Sequence, residues 1–254
     1  MQRAFSGKSK IMTEKLVIIP AHNEESTIRE VVTAALKYAD VSVTDDGSRD
    51  RTPSILQELA DECKNSGHPH RLNIITHPVA THIPRGIQDG LRFGVQNGYK
   101  VFVTMDAGLS HDPHALPEFF NYNPETDVVI GSRQHTENVP LYRKAISWMA
   151  ARVVNYALTE SYFNFFGSGI ADCTSGFRRY SNRAAKKIAD SVLQSVMFDF
   201  HMEALALCVR DGMSVAEIPI RYVFSNSSFN KRVLRQAMKF AMHLLRTKKA
   251  VPIQ

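Results

Sequence analysis

The fold is decided by the stretch from Lys15 to Asp46, which reads KLVIIPAHNEESTIREVVTAALKYADVSVTDD. Its first six residues form a short apolar run, which is typical of a central strand in a parallel sheet. Apolar residues then recur at the spacing of an amphipathic helix, at Ile28, Val31, Val32, Ala35 and Leu36. Residues 40–45 supply a second strand. Strand, loop, helix and strand in this order predict a parallel sheet covered by helices.

The same alternation continues along the chain. The turn DDGSRDRTPS leads into a helix with Pro53 near its first turn, where proline is favoured. Residues 71–76 predict a third strand, residues 83–96 a third helix, and residues 100–106 a further strand. We therefore expect one α/β domain over residues 15–254, with a mostly parallel central sheet flanked by helices, behind an N-terminal arm of residues 1–14.

The second half of the chain changes character. Residues 127–133 predict a strand that ends in a cation, and residues 214–224 predict another. The segment 141–166 is aromatic and helical in pattern, and a loop with a short strand follows it. Helices are expected at about residues 182–190 and 199–210.

The last predicted element is an amphipathic, basic helix at about residues 230–249. Its two faces consist of Leu234, Ala237, Met238, Ala241, Leu244 and Leu245 on one side and Arg232, Arg235, Lys239 and Arg246 on the other. This composition predicts a helix that lies on an anionic membrane surface. The alternative is that the apolar face packs on the sheet and the cations are solvated.

Three glycines, Gly86, Gly90 and Gly94, follow one side of the third predicted helix. Each costs a helix about 1 kcal/mol relative to alanine. We therefore expect another backbone or a ligand to approach this side closely.

Composition limits the function classes. The 254 residues are 44% hydrophobic, enough for a full core, and their net charge of +6 suits nucleotides, phosphates, nucleic acid or an anionic membrane without choosing among them. Three scattered cysteines form neither a disulfide framework nor a zinc site, which predicts a reducing compartment. Because neither a signal-peptide pattern nor an apolar run of about 18 residues occurs, we expect a cytoplasmic protein. No dinucleotide-type glycine pattern follows the first strand, which argues against a nicotinamide enzyme.

The chemistry is predicted to centre on residues 100–113, KVFVTMDAGLSHDP. Asp106 ends the predicted strand, and a short polar turn then opens a helix led by Pro113. In open α/β sheets ligands bind at the carboxyl ends of the strands, so Asp106 stands where a substrate or a metal is held. The alternative is a carboxylate that only caps the following turn.

Four segments occur in order, IPAHNEES, VTDDGSRDRT, MDAGLSHDP and DCTSGFRRY, and EIPIRY follows them. Together they resemble the family-two glycosyltransferases of the GT-A fold, most closely the branch of dolichyl- and polyprenyl-phosphate sugar synthases. The resemblance covers about residues 15–231. It implies a Rossmann-like sheet and an inverting enzyme that moves a sugar from a nucleotide-diphosphate sugar to a polyprenyl phosphate or another envelope glycan precursor, with no nucleic acid partner. A sugar nucleotidyltransferase and a non-catalytic nucleotide-sugar-binding relative are the alternatives.

The resemblance implies a nucleotide site in the PxxNE loop and the DDGS turn. Its residues are Pro20, Asn23, Glu24, Asp45 and Asp46. The structural alternatives are helix capping by Asn23 and a simple turn at Asp46 and Gly47.

The resemblance also implies phosphate-binding cations and an acceptor site. Arg133 and Arg143 match phosphate-binding arginines, which can grip a phosphate with two parallel bonds, and Lys231 matches a lysine that closes over the donor. Arg85, in the loop entering the third helix, faces the diphosphate or is solvated. The acceptor candidates are Asp172, to orient the acceptor or take its proton, and Glu203, whose alternative is a buried structural role. A phosphate acceptor needs no strong base, whereas a sugar hydroxyl does.

The expected metal site departs from the family pattern. Relatives read Asp-Ala-Asp-Leu-Gln-His where this chain has Gly108 and Ser110 in place of two ligands. Asp106, phosphate oxygens and water are expected to hold Mg²⁺ or Mn²⁺ weakly. Asp112 and His111 are substitute ligands, and their alternatives are an N-cap before Pro113 and a solvent-facing imidazole.

Overall fold

The computed structural model describes residues 13–137, 139–159 and 169–223 and the single positions 239, 242, 243 and 245. The strands are β1 (Lys15–Ala21), β2 (Asp40–Asp46), β3 (Leu72–His77), β4 (Val101–Thr104), β5 (Val128–Glu137), β6 (Arg178–Ser181) and β7 (Val215–Val223). The helices are α1 (Ile28–Ala35), α2 (Thr52–Asn65), α3 (Ile83–Gln96), α4 (Leu116–Asn121), α5 (Leu141–Thr159), α6 (Asn182–Asp190) and α7 (Phe200–Arg210). A 3-10 turn, Pro113–Ala115, leads into α4.

The strands form a seven-stranded sheet in the order β3-β2-β1-β4-β6-β5-β7. Strands β1 to β4 are mutually parallel, and β7 is parallel to β5. Strand β6 runs antiparallel to both β4 and β5. The mostly parallel α/β sheet is therefore confirmed, and its reversed strand brings the loop before β6 to the edge at which β4 and β5 end.

Helices cover both faces of the sheet, because successive side chains of a buried strand point to opposite sides. From β1, Leu16 and Ile18 enter a core that includes residues of α3, α6 and α7. Val17 and Ile19 enter the opposite core, with α1, α2 and α4. This two-sided burial explains why β1 is apolar throughout rather than alternating.

The glycines of α3 bring that helix close to the sheet. A Cβ on Gly90 would stand 2.6 Å from Ile18 Cγ2, and one on Gly94 would stand 2.5 Å from Phe102 Cε1. The expected close approach is confirmed, but the expected neighbour was wrong. Side chains of β1 and β4 fill the space, rather than a backbone or a ligand.

Several predicted boundaries differ from the observed ones. Strand β4 ends at Thr104, so Asp106 lies in the following turn, because β6 begins opposite Thr104 and offers no partner beyond it. Helix α5 is described to Thr159. The helix predicted at residues 230–249 falls outside the described residues except for four positions, and it stays a prediction, as does the arm of residues 1–14. Among the described helices, none is long and apolar enough to cross a membrane.

Candidate functional site

Residues predicted for the site gather at one edge of the sheet. Strands β1, β2, β4 and β5 are parallel, so their carboxyl ends meet there, as in other open α/β sheets. The loop before β6 adds Asp172 because β6 runs in the opposite direction. The fold thus brings Asp46, Asp106 and Asp172, which are far apart in sequence, to the same edge.

A cavity of about 480 Å³ opens at this edge. Its walls include the charged residues Asp106, Arg133, Lys144 and Asp172. Apolar side chains complete the walls, among them Ile146, Trp148, Phe198 and Met202. Its volume and its few charged groups in apolar surroundings are typical of a small-molecule site.

Arg133 and Asp172 form an ion pair, joined by two hydrogen bonds, in the wall of this cavity. Arg133 Nε donates to Asp172 Oδ2 at 2.6 Å, and Nη2 donates to Oδ1 at 2.7 Å. Burial by itself raises the pKa of the Asp172 carboxyl, but the hydrogen bonds and charge of Arg133 hold that pKa below its ordinary value. Asp172 is therefore an ionised carboxylate with both oxygens occupied, and such a group is a weak proton acceptor.

Three further residues position Arg133, and sequence reasoning missed them. Arg133 Nη2 donates to Thr174 Oγ1 at 2.5 Å and to Ser147 Oγ at 3.3 Å. Its guanidinium lies 5.3 Å from the ring centroid of Tyr222 on β7. Thr174 lies in the DCTSGFRRY segment and Tyr222 in the EIPIRY segment, whereas nothing in the pattern of α5 marks Ser147.

Asp106 lies in the turn after β4 with 42% of its side chain exposed. Its Oδ1 is 3.2 Å from the point where a Cβ on Gly176 would stand, so this glycine makes room for the carboxylate. Burial raises the pKa of Glu24, and the negative charge of Asp106 raises it further. The charge of Asp106 is therefore felt at Glu24, and a cation or a ligand that donates hydrogen bonds would relieve the repulsion between these two carboxylates.

The two substitute metal ligands are engaged elsewhere. His111 is 2% exposed, its ring stacks on Phe177 with 5.0 Å between centroids, and its Nδ1 accepts the Asp106 backbone N–H at 3.2 Å. Burial lowers the pKa of His111, which keeps the ring neutral. Asp112 Oδ1 accepts the His114 N–H at 2.9 Å, as an N-cap before Pro113. The prediction of a solvent-facing imidazole at His111 was thus wrong, and the alternative prediction, that Asp112 is an N-cap, is confirmed.

These residues limit the kind of metal site that can form. Within the described residues, no group of three or more His, Cys, Asp or Glu could hold a metal ion. Asp106 offers an accessible carboxylate, Gly108 offers no side chain, and Ser110 is nearly buried. Because Mg²⁺ takes about six oxygen ligands, the residues fit an ion shared with a diphosphate and water, and they do not fit an ion held by the protein alone.

Asp46 holds the loop between β3 and α3. Its Oδ1 accepts from Thr81 N–H at 2.8 Å, from Thr81 Oγ1 at 2.7 Å and from His77 Nδ1 at 2.8 Å, and its Oδ2 accepts from His82 N–H at 2.7 Å. Burial alone raises the pKa of Asp46, but these hydrogen bonds lower it below its ordinary value. Asp45 Oδ1 accepts the Ser48 N–H at 3.1 Å, within the turn. Asp46 thus has a structural role, in holding the loop before α3, that differs from the simple turn given as the alternative, and its contact with a nucleotide stays a prediction.

The PxxNE loop after β1 is tied to the DDGS turn after β2. Asn23 adopts a left-handed backbone, with φ of 56°, and its Oδ1 accepts the Arg49 N–H at 2.8 Å. Its own N–H donates to Ser48 Oγ at 2.9 Å. Helix capping by Asn23 was wrong, since α1 begins only at Ile28. Pro20 and Glu24 flank this junction, and the Glu24 N–H donates to Thr52 Oγ1 at 2.8 Å.

Arg85 and Glu203, both predicted to contact substrate, bind other groups of the protein. Arg85 lies inside α3 rather than in the loop before it, and its Nε donates to Asp89 Oδ2 at 2.8 Å. It lines a separate hollow beside Thr81 and Ser195, so its position does not support the diphosphate role. Glu203 accepts the N–H groups of Gln194 and Ser195 at 2.9 and 2.8 Å, which is the structural role. Lys231 and the side chain of Arg143 lie outside the described residues.

Arg178 is a further residue that the sequence did not single out. It is 0% exposed and donates to the carbonyl oxygens of Cys173 at 2.6 Å, Ser175 at 2.8 Å and His201 at 2.6 Å. It therefore fixes the loop that carries Asp172 and Thr174 against the start of α7. The available signal was a charged residue within the DCTSGFRRY motif at the start of a buried strand.

Comparison with known proteins agrees with this geometry. The family model for glycosyl transferase family 2 matches residues 16–189. The chain is 30% identical over 212 residues to polyprenol monophosphomannose synthase of Mycolicibacterium smegmatis, covering 82% of this chain and 76% of that protein. It is 28% identical over 215 residues to undecaprenyl-phosphate mannosyltransferase of Micrococcus luteus, covering 82% and 83%.

A solved structure shows the same fold. Glucosyl-3-phosphoglycerate synthase from Mycobacterium tuberculosis, in complex with Mn²⁺, uridine diphosphate and glucosyl-3-phosphoglycerate, superposes with a TM-score of 0.64 at 15% identity. The match covers 96% of this chain and 82% of that one. It confirms the GT-A fold expected from the sequence. The family model, which matches more than half of the chain, shows that this chain belongs to glycosyl transferase family 2.

Proposed function

We propose that the protein transfers a sugar from a nucleotide-diphosphate sugar to a polyprenyl phosphate by a single inverting displacement. The observation that carries this proposal is the cavity in which the Arg133–Asp172 pair meets apolar walls such as Trp148 and Met202. A lipid phosphate needs a cation for its head and apolar surface for its first isoprene units. The names of the two curated relatives, polyprenol monophosphomannose synthase and undecaprenyl-phosphate mannosyltransferase, support this acceptor class.

The state of Asp172 favours a phosphate acceptor over a sugar hydroxyl. A hydroxyl must lose a proton as it attacks, whereas a phosphate oxygen is already ionised near neutral pH. Both carboxylate oxygens of Asp172 accept hydrogen bonds from Arg133, and its pKa is lowered, so it is poorly suited to take that proton. Its proposed role is to orient Arg133, whose guanidinium, with Ser147 and Thr174 beside it, binds the acceptor phosphate. The phosphate oxygen then attacks the anomeric carbon, and the bond to the nucleoside diphosphate breaks.

The donor is proposed to lie over the ends of β1, β2 and β4. Glu24 and Asp106 lie in the loops that follow β1 and β4, and Asp46, at the end of β2, holds the loop before α3. A divalent cation would be held by Asp106 only together with the donor diphosphate, where it would supply charge neutralisation for the leaving group. The hydrogen bond from the Asn23 N–H to Ser48 Oγ joins the loop after β1 to the turn after β2 and stabilises the conformation of both.

An apolar stripe on α5 supports a lipid partner. The exposed side chains Leu141, Tyr142, Ala145, Trp148 and Met149 recur at helical spacing and form one face of the helix. Trp148 belongs both to this stripe and to the cavity wall, so the two surfaces are continuous. We therefore propose that α5 meets the lipid at the cytoplasmic face of a membrane, a role that the sequence assigned to residues 230–249.

The direct test is sugar transfer to undecaprenyl phosphate in anionic vesicles, with GDP-mannose, UDP-glucose and UDP-N-acetylglucosamine as labelled donors. We expect label in the lipid extract with at least one donor. Arg133→Lys keeps the charge but loses the paired hydrogen bonds to Asp172 that orient the guanidinium, and it should lower transfer on the order of 10-fold to 100-fold. Label found only in water-soluble product would contradict the lipid acceptor.

Two variants test the assigned roles separately. Trp148→Glu should weaken co-sedimentation with anionic vesicles, whereas Val192→Glu, at an exposed position on another segment, should not.

Asp172→Asn should lower transfer to the lipid phosphate about tenfold through loss of Arg133 positioning. A loss nearer 10⁴-fold would instead indicate general-base catalysis on a hydroxyl acceptor.

A further inference from the structure

The turn that carries Asp106 is closed by a side chain. Strand β6 begins opposite Thr104, so the backbone N–H of Asp106 lies beyond the ladder of hydrogen bonds between β4 and β6. It donates instead to Nδ1 of His111, five residues along the chain, at 3.2 Å. The direction of the Asp106 peptide therefore depends on where the imidazole is held.

The imidazole is fixed by its surroundings. Its ring stacks on Phe177 with an interplanar angle of 23°, and its centroid lies 5.9 Å from that of the Tyr222 ring. The neighbouring Ser110 carbonyl accepts the Val223 N–H at 3.3 Å, which attaches this end of the turn to β7. His111 thus links the Asp106 turn to Phe177, at the end of the loop before β6, and to β7, and both this loop and β7 contribute residues to the cavity wall.

The hydrogen bond requires one form of the ring. Nδ1 accepts a backbone N–H, so it carries no proton, and the neutral ring must carry its proton on Nε2. A side chain of similar size without an acceptor at the Nδ1 position would leave the Asp106 N–H without a partner.

We propose that His111 is a positioning residue that acts through Asp106: by accepting the Asp106 backbone N–H at Nδ1, it aims the Asp106 carboxylate past Gly176 into the cavity. This inference rests on the proposed function, in which Asp106 binds the donor nucleotide sugar. It explains why His111 is buried and stacked although it is not placed to serve as a metal ligand. It also assigns different roles to the sequence neighbours His111 and Asp112, since Asp112 caps the following turn and has no bond to Asp106.

A matched pair of variants tests the acceptor position. The Asn side chain places its carbonyl oxygen near the position of Nδ1, and Gln places its oxygen near that of Nε2. We expect His111→Gln to weaken binding of UDP or GDP, measured by calorimetry with Mn²⁺ present, on the order of tenfold. His111→Asn should recover most of that affinity, with both variants unfolding at similar temperatures. Equal losses in the two variants would overturn the proposal.

A double-mutant cycle distinguishes positioning from general structural support. If His111 acts through Asp106, then His111→Gln should change nucleotide affinity by less than about twofold when Asp106 is already replaced by Asn. If the losses of nucleotide affinity in the two single variants multiply in the double variant, the positioning role is overturned, while the donor role of Asp106 still stands. If Asp106→Asn alone binds nucleotides like the unaltered protein, the donor role of Asp106 fails, and the proposed function must be revised at that point.

A measurement on the unaltered protein keeps the inference testable even if His111→Gln does not fold. Nitrogen-15 chemical shifts of the His111 ring report which nitrogen carries the proton. We expect a protonated Nε2 and an unprotonated Nδ1 at pH 7. The opposite tautomer would exclude the hydrogen bond from Asp106 and with it the proposal.

Discussion

Asp46 shows how a single carboxylate at the site is held by its own protein. Four hydrogen bonds from Thr81, His77 and His82 converge on its two oxygens. They join the end of β2 to the loop before α3, and Gly47, with φ of 68°, makes the adjoining turn. A substitution at Asp46 therefore acts on the loop first and on any nucleotide second.

Replacement of Asp46 by asparagine should show this order of effects. Asn keeps one acceptor oxygen, but its NH2 group cannot accept the N–H that the second carboxylate oxygen accepts, so Asp46→Asn should lower the free energy of unfolding by about 2 kcal/mol. Urea unfolding measures this, and the exposed Asp61→Asn serves as a control expected to change stability by less than about 0.5 kcal/mol. Nucleotide affinity should fall as well, by roughly 1 to 3 kcal/mol. Unchanged stability together with lost affinity would show that Asp46 meets the nucleotide directly.

Gly108 allows a second residue-level test, directed at the metal. A Cβ at this position meets no atom within 4 Å, so a side chain fits without rearrangement. Gly108→Asp adds a carboxylate two residues from Asp106 and should tighten Mn²⁺ binding in the presence of UDP or GDP by about tenfold or more. Gly108→Asn, which adds similar volume without charge, is the matched control. Tight stoichiometric Mn²⁺ in the unaltered protein would contradict the weak, shared site.

At the scale of elements, the contact between α3 and the sheet depends on missing side chains. Gly90 stands over Ile18 and Gly94 over Phe102, closer than any Cβ would allow. The stripe of glycines is therefore a packing device that lets α3 lie directly on β1 and β4.

Gly90→Ala should accordingly destabilise the fold. Alanine gains about 1 kcal/mol in helix propensity. Its Cβ would stand 2.6 Å from Ile18 Cγ2, however, and overpacking of this kind costs about 1–3 kcal/mol or more. We expect a net loss of stability in urea unfolding, whereas Gly108→Ala, in open space, should be near neutral. A stabilised Gly90→Ala variant would mean that the helix and sheet separate easily.

The loop before β6 depends in the same way on Arg178. Its guanidinium binds three carbonyl oxygens and has no carboxylate within ion-pair distance among the described residues. Arg178→Met keeps much of the volume but leaves those carbonyls buried without donors, so it should cost about 3 kcal/mol or more in unfolding free energy. The Arg133–Asp172 pair should loosen with it, visible as weaker acceptor binding. A loss under about 1 kcal/mol would show that water replaces the guanidinium.

For the molecule as a whole, the carboxylates at the sheet edge make stability depend on pH. Asp46 and Asp172 both have lowered pKa values in the fold, in each case because hydrogen bonds to the charged form outweigh burial. A lowered folded-state pKa contributes stability that is present above the unfolded value of about 4 and is lost as pH falls below it. Burial raises the pKa values of Glu24 and Asp199, which act in the opposite direction.

We therefore expect the free energy of unfolding to decrease as pH falls from about 5 to about 3, a window set by the ordinary aspartate value. Urea unfolding across this range measures it. The Asp46→Asn variant should show a shallower decrease, because one of the responsible carboxylates is gone. An equally steep decrease would assign the effect to other groups.

The sequence by itself determined the order of strands and helices, the GT-A fold and the family. Apolar runs, helical spacing and the motifs after β1, β2 and β4 are local patterns, and local patterns can be read along the chain. It also placed Asp46, Asp106 and Arg133 at or near the carboxyl ends of strands, which the parallel sheet turns into neighbours.

Only the tertiary structure decided what those residues touch. The reversal of β6 pairs Asp172 with Arg133, so the residue expected to orient the acceptor or take its proton is an anion bound by an arginine. The stacking of His111 on Phe177 buries a ring that the sequence left in solvent, and the glycines of α3 meet strand side chains rather than a ligand. These outcomes depend on contacts between residues tens of positions apart, and their hydrogen bonds and burial are set by strand order and packing, which no local pattern specifies.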